Sequence, residues 1–568
     1  MTVLKTALAQ VNVTMGALRP NADKIAQHAH DAASRGADII VFPELALCGY
    51  PPEDLALRKQ FIEDIARELK RLTVELPPDT TVIVGAPLAE AGRLYNAALI
   101  FQGGALRASY RKIALPNYGV FDEKRIFTEG REPLIIGLGK HRIGIHICED
   151  SWDATATPCA VLAGRVDCVI NLSASPYERG KLAHREQMLR DTARAIGAPL
   201  LYCNLVGGQD ELVFDGASMA VDANGVFARA RQFEDDLLHV AIPKTSKGWK
   251  SDANGLPRVG TFVELVPRAT TNDDETSFQP RIEAARDEMA EVYTALATGL
   301  RDYTNKNGFN GVLLGLSGGL DSALVAALAV DALGAERVHG VTMPSRFSSD
   351  GTRGDAFAVA ENLGIEMVEA PIQKMYETVL NELAPLWPGR KPDATEENIQ
   401  ARIRGLVLMA LSNKFGWLVL TTGNKSEVAT GYCTLYGDMV GGFAALKDVT
   451  KTLAYKLARW RNSVGPREVI PETTITRAPS AELRENQTDQ DTLPPYEVLD
   501  EIIERYVERD LSRAHIVAEG FDEATVARVI RMIDASEYKR QQAAPGVKIT
   551  TKAFGPDRRL PITNWYRG

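Results

Sequence analysis

The chain of 568 residues has no long apolar run, no CxxC pair and no excess of positive charge. No stretch approaches the roughly 20 apolar residues that a membrane-spanning helix needs, so no transmembrane segment is expected. Six cysteines are scattered at 48, 148, 159, 168, 203 and 433. Without paired spacing they suggest neither a disulfide framework nor a zinc site, and they point to a reducing, cytoplasmic setting. Lys and Arg number 65 against 74 Asp and Glu, a net charge of −9. That balance argues against wrapping nucleic acid. The opening MTVLKTALAQVNV alternates apolar and polar residues after one early Lys, so it reads as a strand, not a signal peptide. A Walker loop, GxxxxGK[ST], is missing as well.

The length predicts two large domains. In the front half, strands are expected at Val3–Val13, Ala37–Phe42, Thr81–Pro87, Tyr95–Phe101, Arg142–Cys148, Val166–Leu172 and Pro199–Leu205. Helical patterns lie between several of them, as at Asn21–Ser34 and Glu53–Leu76. Many of the strands are continuous apolar runs, which suits sheets covered on both faces. At 266–280 the text VPRATTNDDETSFQP turns polar and is bounded by Pro, so it reads as a linker. The expected domains are therefore 1–265 and 281–568. The second opens with a helix over Arg281–Asn305 and continues as alternating strands and helices. GVLLGL, HGVTMPS, EMVEAPI and WLVLTTG are its strand candidates, which predicts a doubly wound parallel sheet. Ala481–Thr492 reads as a mobile loop or lid.

The sharpest motif is Ser317-Gly318-Gly319-Leu320-Asp321-Ser322, placed where an apolar strand ends and a helix begins. Two glycines let backbone approach an anion, and the helix N-terminus supplies a positive field. Asp321 would repel phosphate, but it suits a Mg²⁺ that bridges phosphates. The string resembles the pyrophosphate-binding loop of the ATP pyrophosphatases, which adenylate a substrate and release pyrophosphate. Five neighbouring strings narrow the resemblance: Met343–Ser349, Asn398–Arg402, Thr422–Glu427, Tyr436–Asp438 and Glu537–Arg540. With the loop, they resemble the NAD synthetase family over nearly all of the second half.

That resemblance implies ATP contacts at Gly315, Leu316, Ser317, Gly318, Gly319, Leu320, Asp321, Ser322, Thr422 and Lys451. It implies Mg²⁺ at Asp321 and Glu427, and deamido-NAD at or near Asn398, Arg402, Glu427 and Lys539. Taken singly, these residues have plainer readings. Lys451 and Lys539 could be solvated helix charges, Glu427 a local cap and Asn398 an N-cap. The chain departs from the family in carrying Ala445 where Pro is common near the Gly-Gly-Phe string.

The front half offers Glu44 in FPEL, Lys112 in YRK and Cys148 in IHICED, two of them at strand ends. A thiolate can attack a carboxamide, a carboxylate can shuttle its proton, and a lysine can lower the thiol pKa and stabilise the oxyanion. Glu, Lys and Cys in this order resemble the carbon–nitrogen hydrolase (nitrilase) superfamily. By that resemblance the Glu149 amide completes the oxyanion site, Tyr118 and Ser175 contact glutamine, and Lys181, or another basic group up to Arg185, takes its carboxylate. Cys48, Cys159, Cys168 and Cys203 read as buried small hydrophobes. His146 is expected to be buried or supporting.

The two resemblances together imply an αββα nitrilase-like sandwich joined to a doubly wound, Rossmann-like adenine-nucleotide hydrolase domain. They imply a homo-oligomer acting on L-glutamine, ATP and deamido-NAD, with neither nucleic acid nor membrane as partner. A GMP or asparagine synthetase is the rival enzyme reading, but residue 2 is Thr, so an N-terminal cysteine nucleophile is missing. A binding protein with dead sites is the rival of another class, and the intact Glu44, Lys112, Cys148, Ser317 and Asp321 weigh against it.

Overall fold

The computed structural model describes residues 3–244, 261–268, 278–465 and 467–566. Of the expected linker, 269–277 lies outside the described residues. The chain forms two compact units: Met1–Gln209 with Val213–Arg286, and Asp210–Leu212 with Asp287–Gly568.

The first unit holds two large sheets. One runs Asp236–Pro243, Val3–Gln10, Ile39–Val41, Thr81–Glu90, Arg93–Gln102, Ala105–Arg111 from edge to edge. The other runs Val226–Arg229, Met219–Val221, Leu200–Asn204, Cys168–Ser173, His141–Ile147, Leu134–Leu138, Thr261–Leu265. Leu4, Leu8, Val41 and Ile83 of the first sheet share one buried cluster with Ile143, Ile145, Ile170 and Leu172 of the second. The sheets are thus packed face to face. The outer face of the second is covered by the helix Lys181–Ile196 through Leu182, Leu189, Ala193 and Ile196. Helices Leu18–Ser34 and Lys59–Glu75 lie against each other and against the first sheet. This is the αββα order, and its central strands are buried on both faces, as their continuous apolar text required.

Several boundaries differ from expectation. The first strand stops at Gln10, and the helix expected over Glu53–Leu76 breaks at Arg58 into a 3-10 turn and an α-helix. Strands Ala105–Arg111 and Leu134–Leu138, and the ribbons between 206 and 243, were not expected, although Leu134–Leu138 is a continuous apolar run, LIIGL. Ala105–Arg111 is half exposed and mixes apolar with charged residues, so neither period dominates. It is joined to Arg93–Gln102 through Gly103 and Gly104, both at positive φ, as a tight hairpin turn demands.

The second unit is built on five parallel strands ordered Glu366–Glu369, Val338–Thr342, Val312–Gly315, Leu418–Thr421, Phe443–Ala444. The chain winds outward one way from Val312–Gly315 and then the other. The crevice beyond the strand ends at that reversal is where such sheets bind ligands. Its first helix starts at Glu288, not at Arg281. The Asp287 side chain caps it by accepting from the Ala290 amide at 2.9 Å. Residues 281–283 are instead held extended: Arg281 O accepts from Arg229 N at 2.8 Å, and Glu283 N donates to Arg229 O at 3.1 Å.

Candidate active sites

In the first unit, Glu44, Lys112 and Cys148 converge from three strand ends. Glu44 follows Ile39–Val41 on a bend that lies directly on Gly85. A Cβ at Gly85 would sit 2.3 Å from the Pro43 carbonyl, so only glycine lets this bend pack there. The Glu44 carboxylate accepts from Lys112 Nζ at 2.6 Å, Asn96 Nδ2 at 2.7 Å and the Ala174 amide at 2.9 Å. Lys112 is fully buried and bridges to a second carboxylate, Glu123, at 2.8 Å. Glu123 also accepts from the Tyr50 hydroxyl at 2.9 Å. Burial opposes the charge on Lys112, but Glu123 and Glu44 outweigh it and hold its pKa well above the usual lysine range.

Cys148 begins a 3-10 turn at the end of His141–Ile147, with φ +43. A side chain held in this left-handed region is strained, and such strain concentrates at functional sites. Asn171, on the adjacent parallel strand, clamps the residue from both sides. Its Oδ1 accepts from Cys148 N at 3.0 Å, and its Nδ2 donates to Cys148 O at 3.1 Å. Asp150 ties this turn to the Lys112 segment. It accepts from the amides of Ile147 (3.0 Å) and Ala114 (2.7 Å) and from the Tyr110 hydroxyl at 2.8 Å. Lys112 acts on the thiol in the expected direction. Burial and the charge of Glu44 nonetheless push Cys148 well above the usual thiol range.

The remaining front-half candidates fall as follows. Tyr118 is exposed, and its hydroxyl donates to the Glu149 carboxylate at 3.1 Å. Ser175 is buried next to Ala174, which anchors Glu44, and its amide donates to Asn204 Oδ1 at 2.9 Å. Lys181 opens its helix with Nζ 3.8 Å from Glu178 and 5.8 Å from the Trp152 ring centre. Arg185 is fully buried and closed by a bidentate pair with Asp215, both contacts at 3.0 Å. Cys48, Cys159, Cys168 and Cys203 are buried and unpaired.

His146 is buried, with Nδ1 3.0 Å from Ser151 Oγ. Burial pulls its pKa from 6.5 down to about 4. Between those values the unfolded chain takes up a proton that the folded chain refuses, so stability present above pH 6.5 is lost as pH falls towards 4. The shift corresponds to ~3 kcal/mol. His146→Gln is expected to flatten the loss of unfolding midpoint between pH 7 and pH 5, read by urea titration. An unchanged pH slope would reject this.

In the second unit, a cavity of about 330 Å³ opens at the reversal point of the sheet. Gly315, Leu316, Ser317, Gly319, Leu320, Asp321 and Ser322 line it, with Thr422, Glu427 and Lys451. Gly318 sits behind them at φ +80, where a Cβ would lie 1.9 Å from the Thr352 carbonyl. The Ser322 hydroxyl staples the loop by donating to Gly319 O at 3.0 Å, and it lies 3.1 Å from Ser317 Oγ. Asp321 Oδ2 accepts from Lys451 Nζ at 2.5 Å and Asn424 Nδ2 at 3.2 Å. Its Oδ1 is buried with no hydrogen-bond partner. Glu427 does cap its short helix: its carboxylate accepts from Asn424 N at 3.3 Å, and Asn424 Oδ1 accepts from Glu427 N at 3.0 Å. It also faces the cavity, where burial and then Asp321 push its pKa up to about 8.

Asn398, Arg402 and Lys539 do not line this cavity; all three brace the neighbouring 431–435 loop. Asn398 Oδ1 accepts from Thr434 at 2.7 Å, Arg402 Nε donates to Leu435 O at 3.2 Å, and Lys539 Nζ donates to Gly431 O and Cys433 O at 2.7 Å. Asn398 is no N-cap, because its helix starts at Ala394 with Asp393 capping. Residues 481–483 and 489 of the expected lid do reach the cavity wall.

Comparison with known proteins decides the family. The carbon-nitrogen hydrolase family model matches residues 5–251 and the NAD synthase model residues 292–543. A glutamine-dependent NAD(+) synthetase of Thermotoga maritima is 47% identical over 571 residues, covering 99% of both chains. That of Aquifex aeolicus is 45% identical over 572 residues, again 99% of both. The chain belongs to the glutamine-dependent NAD(+) synthetases. A solved glutamine-dependent NAD+ synthetase from Acinetobacter baumannii, in complex with adenosine diphosphate, superposes with TM-score 0.75 at 41% identity over 100% of each chain.

Seen as a glutamine-dependent NAD(+) synthetase, the chain holds site residues that sequence reasoning missed. Glu123 sits in Asp122-Glu123-Lys124-Arg125, a charge run that looks like solvated surface, and no sequence signal marked it. Asn96 and Asn171 did carry one: each is a lone amide inside an apolar strand, and a buried amide needs partners. Arg404, two residues after the predicted Arg402, lines the synthetase cavity while Arg402 does not.

Proposed function

We infer that the chain makes NAD⁺ by ATP-dependent amidation of deamido-NAD, with ammonia from L-glutamine. One observation carries this: a Glu–Lys–Cys constellation and a Ser317–Ser322 phosphate-loop cavity occur on one chain that is matched end to end by glutamine-dependent NAD(+) synthetases.

The front unit, residues 1–265, is read as the glutaminase. Glu44 takes the Cys148 proton as sulfur attacks the glutamine carboxamide carbon. Lys112 and the Glu149 amide stabilise the oxyanion. Glu44 passes the proton to the departing ammonia and then activates the water that releases glutamate. Glu123 holds Lys112 charged and in place. Tyr118, Ser175 and Lys181 are read as glutamine contacts. The closed Arg185–Asp215 pair favours Lys181 for the substrate carboxylate.

The rear domain, expected over 281–568 and compact from Asp287 on, is read as the synthetase. The loop Gly315–Ser322, with Thr422 and Lys451, holds the phosphates of ATP. The nicotinate carboxylate of deamido-NAD attacks the α-phosphate, pyrophosphate leaves, and ammonia displaces AMP from the acyl-adenylate. Asn398, Arg402, Glu427 and Lys539 are read as the dinucleotide side. Asp321 and Glu427 fit Mg²⁺. An unpartnered buried carboxylate oxygen and a second carboxylate, its pKa raised by burial and by the first, are the hard donors that a magnesium–phosphate complex accepts. The ion would supply charge neutralisation on the phosphates. Unpaired cysteines suit a reducing cytoplasm, and no described helix is long and apolar enough to cross a membrane. Exposed Leu406, Tyr436 and Tyr538 offer apolar surface for a homo-oligomer.

Ligand-induced thermal stabilisation tests the substrate assignment. Deamido-NAD at about 100 times its Kd should stabilise by ~2.7 kcal/mol, and XMP or aspartate should not. Stabilisation by XMP instead would move the chain to another amidotransferase class.

A further inference from the structure

Arg404 differs from the cations around it. Arg353 is held by Glu369 in a bidentate pair, Arg477 by Asp355 and Lys451 by Asp321, and all three line the synthetase cavity. Arg404 lines it too, yet its one hydrogen bond is from Nε to the Met343 carbonyl at 3.2 Å. Among the described residues its terminal nitrogens bond to nothing, and it makes no ion pair. Glu482 and Asp438 act on it only through their charge. Burial pulls its pKa down to about 10, as befits a cation short of counter-charge.

The fold sets this guanidinium beside the phosphate loop. Gly405, next in the helix Ala394–Phe415, is pressed against the 436–437 backbone: a Cβ there would lie 2.9 Å from the Tyr436 carbonyl. The helix therefore cannot roll to carry Arg404 outward. Met343, whose carbonyl accepts from Arg404 Nε, also touches the start of the loop, its side chain 3.2 Å from where a Gly315 Cβ would stand. Nε is spent on the wall, and the terminal fork remains. A planar fork of N–H donors is matched by a pair of phosphate oxygens.

We propose that Arg404 is a phosphate-binding residue of the synthetase cavity, its terminal fork taking two oxygens of a phosphate group on one of the two nucleotide substrates. This rests on reading the cavity as the site of ATP and deamido-NAD. The triphosphate of one and the pyrophosphate of the other offer the same chemistry, and kinetics separates them.

The full chain is assayed for NAD⁺ with ammonium as nitrogen donor, varying ATP and deamido-NAD in turn. Arg404→Met should raise the KM of one nucleotide about ten-fold or more while kcat stays within a few-fold. Arg404→Lys, which keeps charge but loses the fork, should give a smaller rise for the same nucleotide. A rise for ATP assigns the triphosphate; a rise for deamido-NAD assigns its pyrophosphate. If both KM values stay unchanged, or only kcat falls, the proposal is overturned. Where Arg404→Met does not fold, Arg404→Lys decides by the same KM readout. Wild-type protein that forms no NAD⁺ from these substrates would sink the functional reading instead, a distinct result.

Discussion

Cys148→Ala should abolish NAD⁺ formation from glutamine while leaving formation from ammonium near wild-type. Without sulfur no thioester forms, and loss of a nucleophile costs at least about 1,000-fold. The proposed second site draws on different residues, Asp321, Glu427 and Lys451, which share a cavity whose described lining residues all belong to the second unit. Ammonium supplied in solution therefore bypasses the lesion. The substitution is mild for the fold: Cys148 is anchored through its backbone, by Asn171 on both sides, and among the described residues its side chain makes no hydrogen bond that alanine would orphan. A single buried atom is removed, which costs on the order of 1 kcal/mol. The measurement is NAD⁺ by chromatography with each nitrogen donor, alongside glutamate release. Equal loss with both donors, in protein that unfolds at the wild-type temperature, would refute the division of labour. Retained glutamine use would show that another group is the nucleophile.

The complementary substitution is Asp321→Asn. It should reduce synthesis from either donor by about 100-fold or more, with glutamine hydrolysis still measurable. The amide has the shape of the carboxylate but not its charge. Asp321 Oδ2 holds Lys451 at 2.5 Å, and Oδ1 is buried without a partner. Asparagine would leave the Lys451 ammonium, itself buried, without its counter-ion and deprive a magnesium–ATP complex of a hard donor. Both losses fall on the step in which negative charge builds at the α-phosphate. The result to look for is a collapse of pyrophosphate release with ammonium as donor, while glutamate release continues. Full synthetic activity in this variant would show that Asp321 is a structural partner of Lys451 and nothing more.

How much of this was legible beforehand follows from how each feature is encoded. The αββα and doubly wound architectures are written in continuous apolar strands of fixed length separated by helical periods. A strand such as Ile39–Val41 is buried on both faces, so its text is apolar throughout. The loop at 317–322 is local too: its conformation needs glycine at 318, and its position after an apolar strand defines its surroundings. Half-exposed ribbons were lost because their composition balances two environments, as in Ala105–Arg111. The helix start was misplaced because residues 281–283 are claimed by pairing with Arg229, more than fifty positions earlier in the chain.

By itself the sequence determined which short motifs end which strands, and therefore that Glu44, Cys148 and the 315–322 loop could reach a strand-end crevice; it marked Lys112 by residue type, while the strand Ala105–Arg111 that delivers it emerged only in the fold. Only the tertiary structure decided their company. It brought Glu123 out of an apparently solvated charge run to the far side of Lys112. It closed Arg185 on Asp215 and turned Arg402 to the 431–435 loop while leaving Arg404 at the cavity. Chemistry-bearing residue types and backbone conformation are local properties that a chain can spell out. The charge that each buried group meets depends on packing between distant segments, which only the folded chain contains.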